Sequence, residues 1–346
     1  MASTKASTEA ISGSTLACAY WQGSDGKSQA RDSDNKGLTM QPAGHDHMRV
    51  YYVDVYGDVT QVQCNGKDWV PGSQKCFKAP RPKTPLAAVV YPDDSNTDSR
   101  PTDNPEIHIF CIDISDENTP SIQQFVKNKD SNSWSRGKDV PATGLISVSA
   151  LAAVAYKGPH IRVYWQDKTH YIRQTIAEKA DDSDWKVSDT KISDAAAVKG
   201  TPIAAAPQAS YTTSPDITIA WHDTSHQIVA TKVTSDSPTK YQFPKSYPAS
   251  PTGTIAILSW SSASLWIYYD GPDDGIQRIS HEYKDSVWSW KGQFNTFTGN
   301  ITTPRTEGQG SLAAASFSPA KDGSVGSVFY QIPGHVDISQ LRLPGT

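Results

Sequence analysis

Two residue pairs in this chain share a spacing that suits recognition chemistry. In the segment IRVYWQDKTHYIRQ (161–174), Arg162 stands 12 residues before Gln174. The segment HMRVYYVDVYGDVTQ (47–61) repeats the arrangement with Arg49 and Gln61. A guanidinium offers five N–H donors in a rigid planar fork, and a glutamine amide both accepts and donates. Apolar residues alternate between the two, as along a half-buried strand. Each segment therefore reads as a hairpin. A turn centred on Lys168 sets Arg162 directly opposite Gln174, both exposed on one face with Cβ atoms roughly 5 Å apart. Such a pair is either a solvated decoration or half of a binding site.

Other chemistry is less well supported. Asp54, Asp113, Asp167, Asp223 and Asp270 invite a hydrolytic reading, but general acid and base work needs two unlike carboxylates converging on one bond. These recur singly at hairpin ends, where aspartate favours a turn by accepting from nearby backbone N–H groups. The histidines show no HExxH or similar ligand spacing, so no metal site is expected. No glycine loop suits a phosphate, no nucleophile stands out, and no cofactor is expected. The four cysteines (Cys18, Cys64, Cys76, Cys111) lack a CxxC pattern and read as free thiols, although Cys64 and Cys76 can approach on neighbouring strands.

The elements that must position the pairs recur along the chain. Relatives of the two hairpins are EIHIFCIDISDENTPSIQQ (106–124), DITIAWHDTSHQIVA (216–230), LWIYYDGPDDGIQR (265–278) and GSVFYQIPGHVDISQ (326–340). With Arg49, His108, Arg162, Thr218, Trp266 and Ser327 as equivalent points, the steps are 59, 54, 56, 48 and 61 residues. Before each hairpin runs a short, small-residue strand: TLACAYW (15–21), PLAAVVY (85–91), ALAAVAY (150–156), TPIAAAP (201–207), TIAILSW (254–260) and SLAAASF (311–317). Their shortness and their Pro, Gly or Ser boundaries favour buried strands over helices. After the hairpin, Trp69, Trp134, Trp185, Tyr241 and Trp288 mark a further strand.

Four strands in each of six units predict an all-β, six-bladed propeller of antiparallel blades, a single domain over residues 1–346. The sixth unit ends at LRLPGT before a fourth strand, and the stretch before Ser14 is available to supply it and close the ring. A stacked solenoid is the alternative architecture.

Bulk properties agree with a recognition protein. Net charge is −4, with 20% charged residues, which gives no basic footprint for nucleic acid. The chain carries 10 Trp and 15 Tyr against 8 Phe, an excess of amphipathic rings that suits ligand platforms. The start MASTKASTEAISGST has no apolar signal core, and no stretch reaches the roughly 20 apolar residues of a membrane span. The expected localisation is soluble, cytoplasmic or exported by a non-classical route to the cell surface, with no membrane insertion.

The combined pattern [IL]AA[VI]xx[YW] … [IM]RVY[YW]xD … I[RQ][QE] … W, recurring six times, resembles the fungal fucose-specific lectins over essentially the whole chain. The resemblance implies a six-bladed propeller that binds L-fucose and fucosylated glycans between adjacent blades, without catalysis, and it implies dimers. It also implies that an arginine and a Glu or Gln of one blade hydrogen-bond the sugar while aromatic residues of the next blade pack on its apolar edge. Mapped by motif, Arg49 and Gln61 take Trp134 as their wall, and Arg162 and Gln174 take Tyr241. His108 and Gln124 form a weaker third pair on a longer hairpin, with Trp185 following. Thr218 with Ala230 has lost both partners, Trp266 with Arg278 reads as a cation–π contact, and Ser327 with Gln340 lacks the cation. Two competent sites are expected, or three with His108. Glutamine stands where the family usually places a carboxylate, the stronger acceptor.

Two other functions compete with this one. A propeller glycoside hydrolase needs a carboxylate cluster at the central opening, and the six small-residue strands contain no Asp or Glu. A protein-interaction scaffold with decayed sugar sites fits the four degraded units.

Overall fold

The computed structural model describes residues 3–7, 16–22, 46–65, 68–70, 73–90, 105–116, 119–129, 133–156, 160–177, 184–207, 216–234, 237–241, 243, 245–261, 264–272, 275–284, 287–295, 311–316, 324–331 and 338–344. Among these residues the strands form six antiparallel sheets, one per sequence repeat. Blade 1 comprises Ala17–Gln22, Asp46–Val53, Asp58–Asn65 and Asp68–Trp69, with Gln74–Lys78 also pairing the third strand. Blade 2 comprises Leu86–Val90, Ile107–Asp113, Ser121–Lys127 and Trp134–Val140. Blade 3 comprises Ala152–Tyr156, His160–Gln166, Ile172–Ala177 and Trp185–Val187. Blade 4 comprises Ile203–Pro207, Ile217–His222, Ile228–Thr234 and Ser237–Lys240. Blade 5 comprises Ile255–Ser261, Ser264–Asp270, Ile276–Lys284 and Val287–Asn295. Blade 6 comprises Ser311–Ser316, Ser324–Gln331 and Ile338–Pro344, and the strand Ser3–Ser7 completes it.

The small-residue strands are the innermost in every blade, and each contacts the inner strands on both sides. The succession from blade 1 through blade 6 returns to blade 1, so the ring is closed. Crowding around that axis explains the alanines: Ala17, Ala87, Ala152, Ala204, Ala256 and Ala313 are all buried where larger side chains would collide. Pairing of Ser3–Ser7 with Ile338–Pro344 brings the first and last strands into one sheet and gives blade 6 its fourth strand.

The apolar cores lie between blades, not within them. Phe110 and Ile112 of blade 2 pack with Ile161, Val163 and Trp165 of blade 3. Tyr164 of blade 3 packs with Ile217, Ile219 and Trp221 of blade 4. Alternation along a strand therefore assigns each side chain to one of two clefts. Odd-numbered residues of His160–Gln166 face blade 2, and even-numbered ones face blade 4.

The hairpin turns are built by aspartate, as expected. Asp54 Oδ1 accepts from the N–H groups of Tyr56 and Asp58, Asp167 Oδ1 from Thr169 and Tyr171, and Asp223 Oδ1 from Ser225 and Gln227. The residue three beyond each aspartate has positive φ: Gly57 at 76°, His170 at 66° and His226 at 55°. Asp270 departs from this pattern, because its carboxylate accepts from Thr254 N–H at 2.8 Å, ahead of the blade 5 inner strand.

This turn corrects the expected register. Its centre is Thr169, not Lys168, so Gln174 pairs with Tyr164 while Arg162 pairs with Ile176. The same offset recurs in every blade: Gln61 opposes Tyr51, Gln124 opposes Phe110, Ala230 opposes Ala220, Arg278 opposes Tyr268 and Gln340 opposes Phe329. The two polar positions of each hairpin are thus diagonal neighbours on a common face.

A recurring hydroxyl not singled out from the sequence anchors the hairpins of blades 2, 3 and 4 to the approach of their own inner strands. The Oγ atoms of Thr84, Ser149 and Thr201 accept from the N–H groups of Ile112, Gln166 and His222 at 2.9, 2.8 and 2.8 Å.

Candidate functional site

Each cleft between blades presents the diagonal pair of one blade to the outer strand of the next. In blade 1, Arg49 donates from Nη1 to Gln61 Oε1 at 3.1 Å, and Gln61 Nε2 donates to Gln74 Oε1 at 2.6 Å. Trp134 of blade 2 meets Tyr51, the direct strand partner of Gln61, edge to face with centroids 5.9 Å apart. The structure therefore brings Arg49, Gln61 and Trp134 to one cleft. Phe77 and Phe125 stack at 3.8 Å to extend its apolar wall. Burial pushes the Cys76 thiol up to about 12, so it stays neutral.

The same edge-to-face contact occurs in two further clefts. Phe110 of blade 2 meets Trp185 of blade 3 at 5.9 Å and 86°. Phe329 of blade 6 meets Trp69 of blade 1 at 5.8 Å and 87°. In all three, the indole belongs to the residue opposite the position three beyond the polar residue of the third strand.

In blade 3, Arg162 donates from Nη1 to Gln174 Oε1 at 3.2 Å and from Nε to the Tyr156 hydroxyl at 3.1 Å. His160 stacks on Tyr156 with centroids 5.1 Å apart. Arg162 is buried at 7% exposure and Gln174 fully, which corrects the expectation of an exposed pair. Arg49 is half-buried. The cause is the propeller itself, because the hairpin face that looks free in isolation is covered by the neighbouring blade.

Tyr241 does not wall this cleft. Its hydroxyl lies 3.2 Å from Thr218 Oγ1 of its own blade, and its ring packs on His281 and Trp290 of blade 5. The structural counterpart of Trp134 in blade 4 is Pro238, which opposes Val233. The physical reason is volume. Thr218 and Ala230 leave space on the face toward blade 5, and Tyr241, whose N–H bonds Ala230 O, fills it. In blade 5 the counterpart is Trp290, opposite His281, not Trp288; the Trp288 side chain lies outside the described residues.

The remaining pairs are engaged internally. His108 ring nitrogens bond Gln124 Nε2 at 2.6 Å and Glu106 Oε1 at 2.7 Å, and both His108 and Gln124 are fully buried. Gly137 makes room for this pair, since a Cβ there would lie 2.6 Å from Gln124 Oε1. The Trp185 indole N–H has no hydrogen-bond partner among the described residues. Gln340 donates to Ser327 Oγ and accepts from the Trp69 indole, both at 2.8 Å. Arg278 lies 4.3 Å over the Trp266 ring, the cation–π contact expected from the sequence.

Cys18, Cys64, Cys76 and Cys111 are free thiols. Among the described residues no group of three or more His, Cys, Asp or Glu is placed to hold a metal, and no helix is long and apolar enough to cross a membrane.

Comparisons with known proteins agree with this architecture. The profile of the family described as "Fungal fucose-specific lectin" matches residues 102–293. The six-bladed propeller lectin of Aleuria aurantia superposes with a TM-score of 0.68 at 21% identity, over 98% of this chain and 99% of that one. AofleA from Arthrobotrys oligospora gives a TM-score of 0.68 at 15% identity, over 99% and 87%. The lectin SapL1, solved with alpha methyl fucoside, gives 0.55 at 19% identity, over 80% and 79%. No curated protein matches the chain by sequence.

Proposed function

Because the chain belongs to the fungal fucose-specific lectin family, whose members bind carbohydrate and are not enzymes, we propose that it is a multivalent lectin for fucosylated glycans. Structures of the Aleuria aurantia lectin with alpha-methyl-L-fucoside and with Fucα1-6GlcNAc support fucosides as the ligand class. In this reading two clefts bind sugar. Arg49 and Gln61 grip hydroxyls in the first while Trp134 offers its ring to the apolar edge. Arg162 and Gln174 serve the second, where Tyr156 of the same blade supplies the ring in place of Tyr241.

The observation that carries this reading is the arginine–glutamine hydrogen bond made at equivalent positions of blades 1 and 3. Each arginine stands near aromatic rings, Tyr51 with Trp134 in the first cleft and Tyr156 in the second, and a guanidinium beside an apolar wall is the combination a hydroxylated ring with one apolar face requires. His108 spends both ring nitrogens within the protein, so the third pair is closed in this reading. Individually shallow sites on one rigid ring gain strength on glycan-coated surfaces by avidity.

A glycan array tests the proposal. Saturable binding to fucosylated glycans, inhibited by free L-fucose, is the expected result. Binding indifferent to fucose, or release of free sugar from a glycoside panel, would overturn it.

A further inference from the structure

His160 stands two residues before Arg162 on the strand His160–Gln166, so both side chains lie on the face toward blade 4. It opens that strand directly opposite Tyr156, the last residue of the inner strand. This register lays the imidazole on the Tyr156 ring, with centroids 5.1 Å apart and planes 18° from parallel. The same phenol touches Arg162. Its hydroxyl accepts from Nε at 3.1 Å, and the guanidinium carbon lies 5.7 Å from its ring centroid.

Tyr156 is 4% exposed, Arg162 7% and Gln174 0%, whereas His160 is half-buried. A sugar therefore reaches the Tyr156 ring only by displacing a group already packed on it, and His160 is the partly exposed neighbour able to swing away. Blade 2 turns the same position inward: Glu106, two residues before His108, bonds its ring at 2.7 Å. Blade 1 has His47 there, opposite Trp21, yet Arg49 is half-buried, so one of the two arginine clefts is closed over and the other is not. We propose that His160 is an intramolecular competitor of the sugar: it occupies the Tyr156 ring in the free protein and is displaced when a fucoside enters the cleft between blades 3 and 4. The inference rests on the lectin reading above. A cleft that must first release His160 has its affinity reduced by the fraction of molecules that are open, so removing the imidazole strengthens binding.

Calorimetry with methyl α-L-fucoside tests this in the Arg49→Ala background, which isolates the cleft. Adding His160→Ala should tighten binding about threefold to tenfold, the scale of one lost aromatic stack. His160→Phe keeps a ring on Tyr156 and should bind no more tightly than Arg49→Ala alone. A second measurement leaves His160 in place: on saturating Arg49→Ala with fucoside, the proton resonances of the His160 ring should lose the ring-current shift imposed by Tyr156. Unchanged or weaker binding on adding His160→Ala, tighter binding with His160→Phe, or His160 resonances unmoved by fucoside overturns the inference and leaves the lectin reading intact. No binding of the fucoside by the unmodified chain overturns both.

Discussion

Arg162 bonds Gln174 at 3.2 Å across a diagonal of the blade 3 hairpin, inside a cleft that the next blade covers. The stability consequences of that burial differ from those at Arg49. Arg162→Ala removes the buried hydrogen bonds to the Tyr156 hydroxyl and the Gln174 amide and should cost about 1–3 kcal/mol. Arg49 is only half-buried, and Gln61 keeps its bond to Gln74, so Arg49→Ala should cost less than about 1 kcal/mol. Urea unfolding of the two variants measures the difference; equal losses would contradict the assigned burial.

Tyr241 serves the blade 4–blade 5 contact, so Tyr241→Phe should leave fucoside affinity unchanged and destabilise the fold by about 1 kcal/mol through loss of the Thr218 bond. A fall in fucoside affinity would return Tyr241 to the ligand. Conversely, Pro238→Trp places an indole where blades 1, 2 and 3 carry one and should raise affinity at the Arg162 cleft about threefold.

The glutamine acceptors are weaker than carboxylates. Gln174→Glu should turn the bond from Arg162 into a charge-assisted one, hold the guanidinium more firmly, and raise methyl fucoside affinity roughly threefold to tenfold. An unchanged or lower affinity would show that the amide itself donates to the sugar.

Acid should weaken the ring through its buried histidines. Burial pushes His222 down to about 4, helped by His226, and pushes His281 down to about 4, helped by Lys232. The unfolded chain binds these protons near pH 6.5, so it holds more protons than the folded chain between the two values. Stability is therefore full above about pH 6.5 and falls as pH drops toward 4. His222→Gln, which copies Gln166 of blade 3, should remove about half of that slope in melting temperature measured between pH 7 and 4.5. An unaltered slope would place the acid sensitivity elsewhere.

Much of this was legible from pattern alone. Six repeats of small inner strand and alternating hairpin specify the blades, since strands buried on both sides around an axis admit little beyond alanine. The aspartate turns were equally legible, being local. What escaped were quantities set by the neighbouring blade. Counting 12 residues between Arg162 and Gln174 placed the turn one residue early, because the left-handed residue at His170 lengthens it. The burial of Arg162 and the true facing of Tyr241 depend on which blade covers which face.

The central claim is that two clefts, and not six, bind fucose through Arg49 and Arg162. Titration calorimetry of methyl α-L-fucoside into the unmodified chain and into the Arg49→Ala/Arg162→Ala double variant tests it most directly. Two equivalents per chain are expected for the former and none for the latter, with the double variant still folded by its far-ultraviolet spectrum. Saturable binding retained by the folded double variant, or six equivalents in the unmodified chain, would contradict it.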